Sequence, residues 1–192
     1  AFAMQDAPFG KWLWPRPIGI EVDMANNFYI NAGRKAFGGI AGAQLSTSNI
    51  NTKMDRFSVI IVEDVPLELK GTEGILRTDI PEADVIGTAD SEPGYWQLVK
   101  RQQPDLVLLD LGLNGSTTIG VEICRRTKEL YRNVKILIFT GEILNEKLWV
   151  DVLDAGADGI ILKSGELLTR SDVRSVMEGK RLVFNEPILQ RI

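Results

Sequence analysis

Four consecutive apolar residues, Leu106 to Leu109, end in a carboxylate at Asp110, with turn signals at Gly112 and Asn114-Gly115. A short, wholly apolar run bounded by turns reads as a strand buried on both faces of a parallel sheet. Asp110 then stands at the carboxyl end of that strand, the edge where open α/β sheets place their chemistry. Taken alone, such a carboxylate is either a cap for the following loop or a reactive group. The rest of the chain decides between them.

From Phe57 onward the sequence alternates strand and helix. Ser58 to Val62 is an apolar, β-branched strand, and Pro66 suits the first turn of a helix running to about Thr78, although Gly71 and Gly74 weaken it. Asp84 to Thr88, Lys135 to Phe139 and Gly159 to Leu162 read as further strands. Glu92 to Gln103, Ile119 to Tyr131 and Asn145 to Asp154 read as helices. Thr169-Arg-Ser-Asp172 has the form of a capping box, with Leu168 and Val173 placed as a hydrophobic staple and Gly179 as a stop. Five strands alternating with five helices predict an α/β fold, a doubly wound five-stranded parallel sheet covered on both faces.

Composition narrows the function. The chain has 192 residues and a net charge of −4, without the clustered Lys and Arg that a nucleic-acid surface needs. No histidine is present, which removes imidazole catalysis, His metal ligands and a phosphohistidine of its own. The lone Cys124 excludes an internal disulfide and fits a reducing compartment. It shares a helical face with Ile123, Thr127, Leu130 and Tyr131, so a buried thiol is expected. No apolar run reaches the roughly 18–20 residues of a membrane span, and no signal-peptide layout is present. A cytoplasmic location is expected. A start at Ala1 suggests a processed product or a piece of a longer chain.

Residues 1–53 differ in kind and read as an irregular extension of unknown role. Ile18, Ile20 and Val22 alternate with Gly19 and Glu21, predicting a short strand that Phe28 to Ile30 would partner. Residues Pro17 to Ile30 resemble one hairpin of an NHL-type propeller blade, but the pattern occurs once, and a propeller needs several. Phe37 to Gly42 is Gly-rich but lacks the first glycine and the leading strand of a dinucleotide loop. Residues 41–51 read as a polar linker, with Met54 opening the next unit.

Four of that unit's five strands deliver polar groups to one edge. Glu63 and Asp64 follow the first strand, Asp110 the third, Thr140 the fourth and Lys163 the fifth. Singly, these are ordinary: a helix-start acid, a strand-end cap, a surface lysine. Together, three converging carboxylates would repel one another unless a cation lies among them, and an oxygen-only set with room for water suits Mg²⁺. A carboxylate nucleophile, a hard metal, an ammonium and a hydroxyl form a set suited to accepting a phosphoryl group.

Residues 57–178 resemble the receiver domain of two-component response regulators, which has a flavodoxin-like fold. The likeness is carried by Val59-Ile-Ile-Val-Glu-Asp-Val-Pro-Leu67, Leu106-Val-Leu-Leu-Asp-Leu-Gly-Leu113 and Ala155-Gly-Ala-Asp-Gly-Ile-Ile-Leu-Lys163. It implies a domain over residues 54–179, with Asp110 as phosphoacceptor and Lys163 and Thr140 binding the phosphoryl group. It further implies Mg²⁺ held by Glu63, Asp64, Asp110 and the Gly112 carbonyl, with Glu63 acting mostly through water. The implied partners are a sensor histidine kinase or phosphotransfer protein and a second copy of the chain. Such a domain is regulatory, catalysing only its own phosphorylation and dephosphorylation. Residues 180–192 resemble the start of the linker to a helix-turn-helix DNA-binding domain, which lies outside these 192 residues.

The chain departs from the family pattern in places. Asn114 stands for a common proline, Ser116 to Thr118 lengthen the loop by about two residues, and Ile160 replaces a gating aromatic. Gly141 follows Thr140 in place of Ala, and Ser164 follows Lys163 in place of Pro. These leave a second reading, a degenerate receiver that binds a partner without phosphorylation. A haloacid-dehalogenase-type phosphatase needs a second acid two residues after its nucleophile, and here that position is Gly112.

Overall fold

The computed structural model describes residues 18–22, 28–32, 54–141, 146–163, 168–180 and 183–184. The dinucleotide-loop and linker readings of residues 37–51 and most of the linker assigned to 180–192 fall outside them. A backbone hairpin comes first, β1 (Ile18–Val22) pairing antiparallel with β2 (Phe28–Ala32), as the alternation predicted. Then follow β3 (Phe57–Val62), α1 (Pro66–Asp79), β4 (Ala83–Ala89), α2 (Glu92–Arg101) and β5 (Leu106–Leu109). After a 3-10 turn at Leu113–Gly115 come α3 (Thr117–Leu130), β6 (Lys135–Thr140), α4 (Glu146–Asp154), β7 (Gly159–Leu162) and α5 (Arg170–Met177).

The five strands from β3 to β7 pair in parallel in the order β4-β3-β5-β6-β7. The chain leaves β3 toward β4 on one side and later returns to β5 on the other. The switch point therefore lies between β3 and β5, where ligands of such sheets bind. Beyond β7 the sheet continues into a two-residue strand, β8 (Val183–Phe184), parallel to β7 and antiparallel to β2. A strand of two residues has no periodicity, so the sequence offered no sign of it.

The period-2 geometry of strands sends alternate residues of each apolar run to opposite faces. Val107 and Leu109 join Ile60, Val62, Ile136 and Ile138 in a core closed by Tyr95 and Val99 of α2, Ile123 and Cys124 of α3, and Val152 of α4. Leu106 and Leu108 join Val59, Ile61, Leu137 and Ile161 in a second core, closed by Leu76 of α1 and Val173 and Val176 of α5. The sheet is doubly wound, as expected. Cys124 is fully buried, and burial pushes its thiol up to about 12. Leu130, expected on the same face, is 63% exposed at the last residue of α3, while the next residue, Tyr131, packs against the core.

Helix ends follow local chemistry. α1 runs through Gly71 and Gly74 without a break, since the buried Thr72 and Leu76 anchor its inner face. The predicted capping box is present: Thr169 Oγ1 accepts from the Asp172 N–H while the Asp172 carboxylate accepts from the Thr169 N–H at 3.0 Å. Leu168 and Val173 are both buried beside it, and Gly179 ends the segment with a φ of +76°.

Candidate functional site

The sheet ladder carries the polar residues to one edge. The Glu63 N–H donates to Ala89 O at 2.9 Å, the Asp110 N–H to Val62 O at 2.9 Å, and the Lys163 N–H to Thr140 O at 2.8 Å. Each bond continues the pairing one residue past a strand end. Side-chain placement thereby follows from strand register.

Backbone donors then orient the carboxylates. Asp110 Oδ2 accepts from the Gly112 N–H at 2.7 Å, Glu63 Oε1 from the Val65 N–H at 3.0 Å, and Asp64 Oδ2 from the Asn114 N–H at 2.7 Å. Asn114 reaches Asp64 from a left-handed conformation, φ 52°, followed by Gly115 at φ 71°. Buried Leu111 and Leu113 pin this lengthened loop to the core between those contacts. The Gly112 carbonyl, a predicted metal ligand, accepts from the Gly115 N–H at 3.2 Å.

Lys163 sits among these acids. Its Nζ donates to Glu63 Oε2, to Glu68 Oε2 at 2.5 Å and to Asp110 Oδ1 at 3.3 Å, and lies 5.5 Å from the centre of the Phe139 ring. Burial by itself would lower the ammonium's pKa, but the hydrogen bonds to Glu63 and Glu68, with Asp110 beside them, raise it. Burial raises the Glu63 carboxyl, against the opposing pull of Lys163 and the Val65 N–H. Glu63 is only 3% exposed, and an ionised carboxylate there depends on its ammonium partner.

Glu63, Asp64, Asp110 and Lys163 thus converge, and Thr140, wholly buried at the end of β6, has its backbone carbonyl paired with the Lys163 N–H. Glu68 was missed. An acid in the first turn of a helix is ordinarily explained by the helix dipole, and that explanation hid its contact with Lys163. One carboxylate oxygen from each of Glu63, Asp64 and Asp110 lies within 4.8 Å of the others, which fits a small hard cation. Three carboxylates contact one ammonium here, and Asp64 lies beside Glu63 and Asp110 as a fourth acid. The surplus of negative charge is what a divalent cation would offset.

A model described as the response regulator receiver domain matches residues 59–170. The nitrate/nitrite response regulator protein NarP of Escherichia coli is 30% identical over 136 residues, covering 70% of this chain and 60% of its own length. The DNA-binding transcriptional activator DevR/DosR of Mycobacterium tuberculosis is 32% identical over 129 residues, covering 66% of this chain and 57% of its own length. The chain therefore spans less than two thirds of each. A solved two-component response regulator of the LuxR family from Aurantimonas sp. superposes with a TM-score of 0.62 at 25% identity, over 71% of this chain and 94% of that one. The isolated receiver domain of RcsB from Salmonella enterica, with phosphomimetic BeF3−, shares the fold, with a TM-score of 0.63 at 22% identity over 71% and 98%. Among the described residues, no helix is long and apolar enough to cross a membrane. With the family model matched over more than half of its residues, the chain belongs to the response regulator receiver domain family.

Proposed function

We propose that the chain is a cytoplasmic phosphoacceptor switch whose nucleophile is Asp110. The observation that carries this reading is the contact of Lys163 Nζ with Asp110 Oδ1 at the carboxyl edge, beside Glu63. An oxygen of Asp110 forms a bond to phosphorus as the donor's P–N or P–O bond breaks, and the donor departs with that electron pair. The Gly112 N–H fixes the carboxylate's orientation, so little reorganisation precedes attack. Lys163 offers its positive charge to the transferred oxygens, and the Thr140 hydroxyl donates to one of them.

Glu63, Asp64 and Asp110, with the Gly112 carbonyl, are the groups that would hold Mg²⁺, which would supply charge neutralisation for the phosphoryl oxygens. The new aspartyl phosphate adds about −1.5 to −2 charge at one spot, and this is the lever on the surrounding structure. The donor is a histidine kinase, a phosphotransfer protein or a small phosphodonor. The output is transcription regulation through a DNA-binding domain beyond these residues, with a second copy of the chain as partner. The unit performing the switch is residues 54–179, and the domain catalyses nothing beyond its own phosphorylation and dephosphorylation.

The test is incubation with acetyl phosphate and Mg²⁺. One acid-stable, base-labile phosphoryl group is expected on Asp110, and none on the Asp110→Asn variant. Equal labelling of that variant would move the acceptor elsewhere. Absence of label on the parent protein would favour the phosphorylation-independent interaction module.

A further inference from the structure

An ammonium group has three N–H donors and no more. In this structure all three are directed at carboxylates: Glu63 Oε2, Glu68 Oε2 at 2.5 Å and Asp110 Oδ1 at 3.3 Å. Lys163 can therefore donate to an incoming phosphoryl oxygen only after one of these contacts yields. The three differ in how readily they can. Glu63 is 3% exposed and also held by the Val65 N–H, so releasing it would strand a buried charge. Asp110 is itself the acceptor and cannot leave. The side chain of Glu68 is 46% exposed on the first turn of α1, where water re-solvates it once it lets go.

We infer that Glu68 is a positioning residue that competes with the phosphoryl group for Lys163 and is the contact exchanged when the site is charged. This deepens the phosphoacceptor reading and rests on it. In the resting site Glu68 holds the ammonium toward the solvent rim. Phosphoryl arrival transfers that N–H to phosphate oxygen, and the Glu68 carboxylate swings into water. The competition slows uptake, because part of each encounter is spent displacing Glu68. Part-exposed ion pairs are screened by salt, so the brake is strongest at low ionic strength.

The experiment compares the parent protein with Glu68→Gln and Glu68→Ala. Phosphorylation by acetyl phosphate with saturating Mg²⁺ is followed by intact mass, at low and at high salt. Both variants should take up phosphate about two- to fivefold faster than the parent at low salt, the range set by the worth of an exposed ion pair. Added salt should narrow this gap, a response that a merely structural role for Glu68 would not give. Two further readouts do not depend on turnover. Beryllofluoride should bind the variants more tightly by a similar factor, and the Lys163 ammonium resonance of the metal-free protein should shift in Glu68→Gln. A parent labelled on Asp110, with variants labelled at the same or a lower rate at low salt, would overturn this inference alone. A parent that takes no label would overturn the phosphoacceptor reading and this inference together.

Discussion

The Asn114 N–H donates to Asp64 Oδ2 at 2.7 Å across fifty positions of sequence, from a residue with a φ of 52°. One unusual backbone conformation thus orients a carboxylate of the site. Proline satisfies neither requirement, since its ring fixes φ near −65° and it has no N–H. Asn114→Pro should cost about 2–4 kcal/mol from strain and the lost charge-assisted bond. Asn114→Gly, which adopts positive φ freely, should stay within about 0.5 kcal/mol of the parent. Urea unfolding of both variants checks this, and equal stability would show that the loop does not need its left-handed turn.

Two glycines should answer alanine in opposite senses. A Cβ at Gly120 would lie 2.7 Å from Leu111 Cα and 2.9 Å from Asp110 O, both backbone atoms. Gly120→Ala must push the Asp110 loop outward, at a cost of about 1–3 kcal/mol. Phosphate uptake should slow with it. At Gly71 a Cβ meets nothing within 4 Å. Gly71→Ala should add about 0.5–1 kcal/mol through helix propensity and leave uptake unchanged.

Mg²⁺ should stabilise the protein in the absence of any phosphodonor. Binding to the folded state alone adds about 2.7 kcal/mol at a hundredfold excess over Kd. Asp64→Ala should abolish the Mg²⁺-dependent rise in melting temperature. A parent protein whose melting curve ignores millimolar Mg²⁺ would count against the carboxylate cluster as a metal site.

Switching should be modest. Thr140 is wholly buried, and Ile160, on the neighbouring strand β7, is equally buried without a polar tip. Drawing the Thr140 hydroxyl toward a phosphoryl group yields about 1.5–3 kcal/mol, the worth of a bond to a charged acceptor. Beryllofluoride should alter self-association measured by sedimentation, and Thr140→Ala should weaken that response while Asp110 still accepts phosphate. Identical mass and amide exchange with and without the mimic would support the passive module.

Alkaline pH should destabilise the fold through two buried groups. Tyr95 is fully buried, and its hydroxyl lies 2.8 Å from Thr127 Oγ1, which itself donates to Ile123 O at 2.6 Å. Burial raises the phenol from 10.0 to about 12 and the Cys124 thiol from 9.0 to about 12. Both groups hold their protons more tightly when folded. Their stabilising effect is therefore complete below pH 9 and is lost as the pH rises toward about 12. Tyr95→Phe should flatten the slope above pH 10 and leave the part that begins near pH 9. With its Oγ1 proton committed to Ile123, Thr127 serves Tyr95 as acceptor. Thr127→Val should consequently cost about 1–3 kcal/mol at neutral pH.

What was legible in the sequence is what short-range rules encode. The run Leu106 to Leu109 announces a strand covered on both faces, because a half-exposed strand would alternate. Thr169 and Asp172 announce a helix start, because the cap is completed within four residues. Parallel strands share a carboxyl edge, so Glu63, Asp64, Asp110, Thr140 and Lys163 could be brought together before any distance was known. Tertiary structure decided the contacts whose partners are far apart and whose residue types have ordinary local explanations. Glu68 looks like a helix-start acid until Lys163, ninety-five positions later, lies against it. Asn114 looks like a turn residue until its N–H meets Asp64, and Gly120 looks like a weak helix position until the backbone of Leu111 crosses it. Periodicity reports which face a side chain takes. It carries no information about which atom of a distant element will occupy the space in front of it.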